Sequence, residues 1–533
     1  MLSNKRLIAV CSIIFCCNVS ILVLFVRYNI QEKCYVTINQ DQNVTVIIPE
    51  NFLSIGIDTS EVENFDRVDF LNKQFMAMAS ALSPARLRLG GTMSDRLIFS
   101  AELDLPPSCE HCPNTTDHVC PALKKLCKHK FLPFFLLTGQ KWREINKFCE
   151  KTNLRLLFAL NLLLRDHHAW DERNARDLLM FSQLNHFKVD WQLGNEPNSF
   201  PHVFNTTVPP KMLARDFKKL QKLLQEVGYG ESLLVGPDTT RPQVHRPECL
   251  KYMVEFLGNG SNYINVRSWH QYYLNSRTAK LEDFWIPSTF DLLEEQIITM
   301  KTHTSEYSHI PMWLSETSSS YGGGAPGLSN SYAATPLWLD KLGLSAKHNI
   351  TTVIRQSFYG GNYSLIDQHY EPLPDWWVSV LYKRVVGGKV LQIHCECSHL
   401  QRMYAHCTNR KYTNDTTAIT IYAINLEMAK ARFLINGTAF HEDNLIIDEF
   451  IISAPSNNRR TKTVLLNGWP LYYEPTLADL KPKYLKYGNH ISMPPYSIGF
   501  WVVKNTSIKI SVFPYSIQQS KNCKEVWFYL FII

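Results

Sequence analysis

Excess charge is the first thing this 533-residue sequence lacks: 55 Lys and Arg against 48 Asp and Glu leave a formal net charge of only +7. That is far from the dense cationic surface of a nucleic-acid binder, and no nucleic-acid partner is expected. The balance still suits a polyanionic substrate, and equally an ordinary, slightly basic surface. No glycine-rich phosphate loop follows the first apolar strand, which counts against a doubly wound nucleotide-binding sheet without removing it from consideration. No clear small-residue cleavage site precedes Arg27, although Leu7 to Val26 form an apolar run of 20 residues after Lys5 and Arg6. Residues 7–26 therefore read as an uncleaved signal anchor in preference to a cleaved signal peptide. Either sends the body of the chain into the secretory pathway, to a lysosomal, extracellular or lumenal membrane-anchored destination. Nor is the chain disordered, since 45% of it is hydrophobic and 12% aromatic.

What is present agrees with that compartment. Beyond the apolar run lie nine Asn-x-Ser/Thr sites, at Asn43, Asn114, Asn205, Asn259, Asn349, Asn362, Asn414, Asn436 and Asn505. Of 14 cysteines, Cys11, Cys16 and Cys17 sit in the apolar run and 11 follow it, so at least one is free or paired between chains. Cys109, Cys112, Cys120 and Cys127 fall in an irregular stretch with His111, His118 and His129. In a secreted chain disulfides are the better reading of such spacing than zinc.

Apolar, β-rich runs ending in turn residues recur at 53–58, 86–92, 154–161, 189–197, 232–238, 263–273, 312–318 and 351–361, with helical spacing between most of them. Eight such alternations predict a (β/α)8 TIM barrel. After a helix at 375–386 the pattern turns to strands without helices, the mark of a β-sandwich, and the alternating run 35–48 adds an N-terminal strand to it. The expected division is 1–30 signal segment, 31–50 strand joining the sandwich, 51–387 barrel with a Cys-rich insert at 100–140, 388–513 sandwich, and 514–533 a tail without an assigned role.

Two glutamates stand out. Glu196, in Trp191 to Asn198 (WQLGNEPN), and Glu316, in Trp313 to Thr317 (WLSET), each close an apolar strand, the fourth and seventh of the eight. Such carboxylates face one another across the C-terminal mouth of a barrel, about 5–5.5 Å apart in a retaining glycosidase. Burial and mutual repulsion should raise the pKa of one, leaving it to donate a proton while the other attacks. Asn195 is placed to bond a sugar hydroxyl or to stabilise its own turn. His270 and Tyr272 end the sixth strand, where aromatic faces stack on sugars and Tyr272 can orient Glu316. Tyr321 to Pro326 (YGGGAP) is either an anion cradle of backbone N–H groups for a uronate carboxylate or a flexible turn.

Ala85 to Thr92, Trp191 to Phe200, Trp269 to Ala279, Trp313 to Leu328, Trp338 to Ala346 and Leu373 to Trp377 together resemble glycoside hydrolase family 79, over nearly all of residues 35 to 505. The resemblance implies a barrel with a β-sandwich and cleavage of internal β-glucuronidic bonds in heparan sulfate or a related glycosaminoglycan, with Glu196 as proton donor and Glu316 as nucleophile. It implies a cleft lined by Asp58, Thr92, Asn195, Arg241, His270, Tyr272, Arg277, Gln356 and Tyr363, and uronate contacts from Gly322, Gly323 and Gly361. It implies neither metal nor organic cofactor. It also pairs Cys407 with a cysteine near the C-terminus, for which Cys523 is available.

Departures bear on the polymer. Gln243 stands where the family places a sulfate-facing arginine, His202 where a lysine is expected and Ser60 where an asparagine is expected, which favours a less sulfated ligand such as hyaluronan. The linker that the family excises is here shorter and cysteine-rich. Asn362 adjoins Tyr363, so its sequon is expected to carry no glycan. A non-catalytic heparan sulfate-binding relative is the third reading; such relatives have lost the motif Ser315-Glu316-Thr317 that this chain keeps.

Overall fold

A computed structural model describes residues 33–512 except position 45 and segments 64–67, 102–134, 167–168, 244–246, 437–444, 475–479 and 487–489. Residues 7–26, Asn114, Cys523 and the cysteines between 109 and 127 lie outside the described residues. Among the described residues no helix is long and apolar enough to cross a membrane.

Eight parallel strands close into a barrel: β1 Leu53–Asp58, β2 Ala85–Gly90, β3 Leu154–Leu160, β4 Val189–Leu193, β5 Leu234–Thr239, β6 Val266–Asn275, β7 Met312–Tyr321 and β8 Thr352–Gln356. Helices follow each strand in turn: α1 Lys73–Ser80, α2 Gly139–Thr152, α3 Arg173–Leu184, α4 Pro210–Val227, α5 Glu248–Gly260, α6 Pro287–His303, α7 Thr335–Lys347 and α8 Pro374–Val385. Closure excludes the open doubly wound sheet. Near the base, the interior holds Leu157, Val235, Val266, Trp313 and Ile354, one residue from each of five strands. Arg86 lies over the Trp313 ring at 4.6 Å and pairs with Asp190.

The stretch read as one insert at 100–140 is partly ordered as strand and helix. Phe135–Thr138 pairs in parallel with Leu97–Ser100, and α2 begins at Gly139, because the apolar run Phe135 to Leu137 is buried.

Immediately after α8 the chain enters an antiparallel sheet built from β9 Val386–Leu391, β10 Gln401–Thr408, β11 Ile419–Asn425, β12 Ile446–Ser453 and β13 Ser497–Lys504, in the order β9-β10-β11-β13-β12. Period-two alternation lets this sheet serve two cores. Ile419, Ile421 and Ala423 face a smaller core shared with a second sheet, while Tyr422 and Ile424 pack into the core of the barrel helices. In the second sheet Lys33–Thr37 lies between His394–Glu396 and Ala431–Asn436. The N-terminal run thus occupies an inner position, and a disulfide joins Cys34 to Cys397 across 363 residues. Cys407 is a buried thiol of β10, with burial raising its pKa.

The sequons at Asn43, Asn205, Asn259, Asn349, Asn414 and Asn505 are all exposed, as is Asn362. Asn436 ends a strand, and its side chain is outside the description.

The sandwich is fastened to the barrel through α7. Tyr404 of β10 donates to Asp340 at 2.6 Å, and Tyr332, just before α7, donates to the carbonyls of Ile452 and Tyr496 at 3.0 Å each. A Cβ at Gly343 would lie 2.4 Å from the Tyr404 ring. Gly343→Ala is therefore expected to cost about 1–3 kcal/mol, read as a lowered Tm; an unchanged Tm would mean that this face of α7 has slack.

Candidate active site

The fourth barrel strand places Glu196 by a sharp local turn. After β4 the backbone of Glu196 is left-handed, with φ of 51°, and its N–H donates to the carbonyl of Asp238 at 3.0 Å. Asp95, in the turn after β2, accepts the N–H groups of Leu162 and Asn195, each at 2.9 Å, so Asn195 is anchored as well. Burial pushes the Asp95 carboxyl up to about 7 against those hydrogen bonds.

Glu316 comes from within β7 by another device. Leu314 pairs with Trp269 and Glu316 with His270, so Ser315 is an extra residue on that side. Regular alternation would turn Glu316 outward; the bulge lets both Ser315 and Glu316 face the interior. Ser315 donates to Asp238 at 2.5 Å.

Arg88 joins these parts. Fully buried on β2, its guanidinium donates to Gln192, Glu316 and Asn195 at 2.8 Å each and to Asp238 at 2.9 Å. Tyr272 donates to the other oxygen of Glu316 at 2.7 Å. Burial opposes ionisation of Glu316, but His270, Arg88 and the Tyr272 hydroxyl outweigh it and hold the carboxyl below its ordinary value. The repulsion expected between the two glutamates is thus answered at Glu316 by two fixed cations.

His270 is the second of those cations. Its Nδ1 lies 2.9 Å from Glu196 and 3.9 Å from Glu316, with Nε2 3.4 Å from Asp238. Burial works against its charge, yet Glu316, Asp238 and Glu196 prevail and push the imidazole up to about 10. Asp238 is held well below the carboxylate range: burial opposes this, and Arg88 and His270 override it. One oxygen of each glutamate and one ring nitrogen of His270 lie within 4.8 Å of one another. A metal ion would need a neutral imidazole. The trio is instead two carboxylates with a cation between them.

These groups open into a cleft of about 770 Å³. Asp58, Thr92, Asn195, Glu196, Arg241, His270, Tyr272, Glu316, Gly322, Gly323 and Tyr363, all singled out from sequence, line it together. Burial raises the pKa of Asp58, helped by Glu316 and opposed by hydrogen bonds from Ser60, whose hydroxyl donates at 2.7 Å. Gln356 supports Asp58 from behind at 3.2 Å. Tyr363 stacks on Tyr272, with ring centroids 6.4 Å apart. Gly322, Gly323 and Gly361 all have positive φ, and the Gly323 carbonyl accepts the N–H of Asn362 at 2.7 Å. Gly361 lines an adjoining cavity with Glu61 and Asn362. Arg241 sits over the Tyr321 ring at 5.4 Å and donates to the carbonyls of Tyr272 and Tyr273.

Arg277 is exposed on the loop after β6 and is not among the residues lining the cleft. Four residues that organise the site, Arg88, Gln192, Asp238 and Asp95, were not singled out from sequence. The one signal that could have found Arg88 is alternation: in Ala85-Arg-Leu-Arg-Leu-Gly90 the arginines alternate with buried leucines and so face the barrel interior.

Residues 57–343 match the model of glycosyl hydrolase family 79, N-terminal domain. Over 498 residues the chain is 36% identical to heparanase from Mus musculus, which covers 86% of this chain and 91% of that relative. Inactive heparanase-2 from Mus musculus is 31% identical over 540 residues, covering 90% of each chain. Among solved structures, a 4-O-α-L-rhamnosyl-β-D-glucuronidase from Fusarium oxysporum superposes with a TM-score of 0.63 over 87% of this chain and 100% of that one; at 12% identity the likeness shows the fold alone.

The charge network predicts a pH signature. His270 is raised from about 6.5 unfolded to about 10 folded, so its contribution to stability is fully present below pH 6.5 and lost as pH rises through 10. The Tm gap between wild type and His270→Gln should be widest below pH 6.5 and shrink toward pH 10; a gap independent of pH would refute a charged His270. Arg88→Met, which leaves His270 as the one described cation beside both Glu316 and Asp238, should cost about 3–5 kcal/mol in denaturant unfolding.

Proposed function

The chain belongs to glycoside hydrolase family 79, and from that premise we propose that it is a retaining endo-β-glucuronidase cutting internal glucuronidic bonds of heparan sulfate. Glu196 is the proton donor and Glu316 the nucleophile. The observation that carries this reading is the pair of carboxylates at the barrel mouth, with oxygens within 4.8 Å and Glu316 held ionised by Arg88, His270 and Tyr272. That closeness supports direct attack by one carboxylate, as in a retaining enzyme.

In this reading the glucuronate ring stacks against Tyr363, with its carboxylate toward the backbone of Gly322 and Gly323. Glu316 attacks the anomeric carbon while Glu196 protonates the departing glycosidic oxygen. A glucuronyl–Glu316 ester forms, and Glu196, now ionised, takes a proton from the water that hydrolyses it. His270 bonds one oxygen of Glu196 and leaves the other for that proton. Asn195 gives its carbonyl oxygen to Arg88, so its amide N–H₂ remains for a sugar hydroxyl.

Two observations weigh on the alternatives. Gln243 and His202 both line the cleft, which favours hyaluronan as the second reading of the polymer. The complete Ser315-Glu316-Thr317 motif, with every Glu316 partner in place, supports catalysis over a purely binding role. Six exposed sequons support passage through the secretory pathway.

Incubation with heparan sulfate and with hyaluronan at mildly acid pH, followed by chain length, tests the assignment. At least one polymer should shorten, with activity declining as pH rises because Glu196 must donate a proton. Glu316→Gln should abolish cleavage, and Glu196→Gln should lower kcat about 10²–10⁴-fold, less with an activated aryl glucuronide. The first-formed product should be the β-anomer by NMR. Should neither polymer shorten, or Glu316→Gln cut as fast as wild type, the reading fails.

A further inference from the structure

The two sides of the cleft differ in charge. On the Glu316 side lie the aromatic and glycine-rich surfaces assigned above to the glucuronate. On the Glu196 side, where the leaving-group sugar must sit if Glu196 protonates its oxygen, the wall comprises Asn198, His202, Thr240, Gln243 and Glu248. This wall is fixed. Asn198 and Thr240 exchange two hydrogen bonds, at 2.8 and 3.1 Å, and the Cys249 thiol donates to the Thr240 carbonyl at 2.6 Å. The N-terminal turn of α5 is thereby tied to the loops after β4 and β5.

Glu248 is the first residue of α5 and is exposed, with its place in the cleft lining alongside Gln243. A carboxylate in the first turn of a helix is in its favoured electrostatic position. Among the described residues no Lys, Arg or His forms an ion pair with it. Two of the described cations that line the cleft are engaged elsewhere: Arg241 donates to two backbone carbonyls, and His270 is enclosed by Glu196, Glu316 and Asp238. A sulfate arriving here would meet the Glu248 carboxylate and the Gln243 amide, with His202 on the same wall.

We propose that Glu248 is a specificity determinant that repels sulfate from the sugar on the leaving-group side, so that the enzyme cuts glucuronidic bonds preceding an unsulfated N-acetylhexosamine. The inference rests on the endo-β-glucuronidase reading and narrows its substrate. Discrimination by repulsion needs no extra contact with the favoured ligand, because an uncharged N-acetyl group simply escapes the penalty. Within one Debye length, about 8 Å at physiological ionic strength, the penalty is only partly screened. Gln243 fits the same choice, since its amide can bond an N-acetyl group but lacks the charged fork that suits a sulfate.

The test compares kcat/KM on three polymers: an unsulfated glucuronate–N-acetylglucosamine chain of heparan type, hyaluronan, and heavily N- and O-sulfated heparan sulfate. Wild type should favour an unsulfated chain over the sulfated one by about tenfold or more. Glu248→Gln should shrink that ratio several-fold, and Glu248→Lys or Gln243→Arg should shrink it further, with the effects fading between about 0.05 and 0.5 M salt. The two unsulfated arms distinguish the heparan-type from the hyaluronan-type backbone. If unsulfated chains are cut but neither Glu248 variant moves the ratio, this inference is wrong while the endo-glucuronidase reading stands. If wild type cuts none of the three, that reading falls and this one with it.

Discussion

A single buried guanidinium holds the candidate site together. Taking Arg88 out of water is costly, and the cost is met only because Glu316 and Asp238 supply two opposite charges and Gln192 and Asn195 accept two further N–H groups. The partners belong to strands β4, β5 and β7 and to the turn that carries Glu196. Arg88 therefore acts across the whole barrel, and its fixed, planar fork of donors is what lets one side chain reach all four. Even the next inward position is constrained, because a Cβ at Gly90 would lie 2.4 Å from the Arg88 guanidinium carbon.

The network also explains how two glutamates a few ångströms apart acquire separate environments. Glu316 takes hydrogen bonds from Arg88 and Tyr272 with its side chain 12% exposed, whereas Glu196 has only His270 beside it and is 27% exposed. Arg88 is committed to Glu316, while Glu196, with His270 beside it, is left open to the cleft. In the proposed mechanism a nucleophile and a proton donor need that asymmetry, and like residues on like strands would not produce it without the unequal placing of Arg88.

The barrel was legible because each strand is a short apolar run ended by turn residues, and the two glutamates because they close such runs at the fourth and seventh positions. Less legible were the residues that organise them. Arg88 and Gln192 interrupt apolar strands rather than ending them, so a search for polar strand ends passes over them. The bulge at Ser315 inserts one residue into the pairing, a matter of register that periodicity does not carry. The Cys34–Cys397 bond joins residues 363 apart, and its pairing depends on an N-terminal strand finding an inner place in the second sheet. Arg277, which family likeness assigns to the cleft, is exposed on the loop after β6 and outside the residues that line it.

The sandwich has a part in this arrangement through α7, buried at every position from Thr335 to Ala346. One side of that helix receives Tyr404 at Asp340 and Gly343. On another side Lys341 donates to Thr317 at 2.5 Å and to the Ser318 carbonyl at 2.8 Å, directly beside Glu316 on β7. Burial, with Arg355 nearby, pushes the Lys341 amine well below its ordinary range, so it serves there chiefly as a hydrogen-bond donor. A nucleophile must be held to within a fraction of an ångström, and a bulged strand is the least regular place to hold it. Packing the strand's far side against a helix that is itself enclosed by a second domain removes the slack that the bulge would otherwise introduce. On this account the sandwich supports the candidate site at one remove, because it encloses α7, the helix that holds β7 through Lys341.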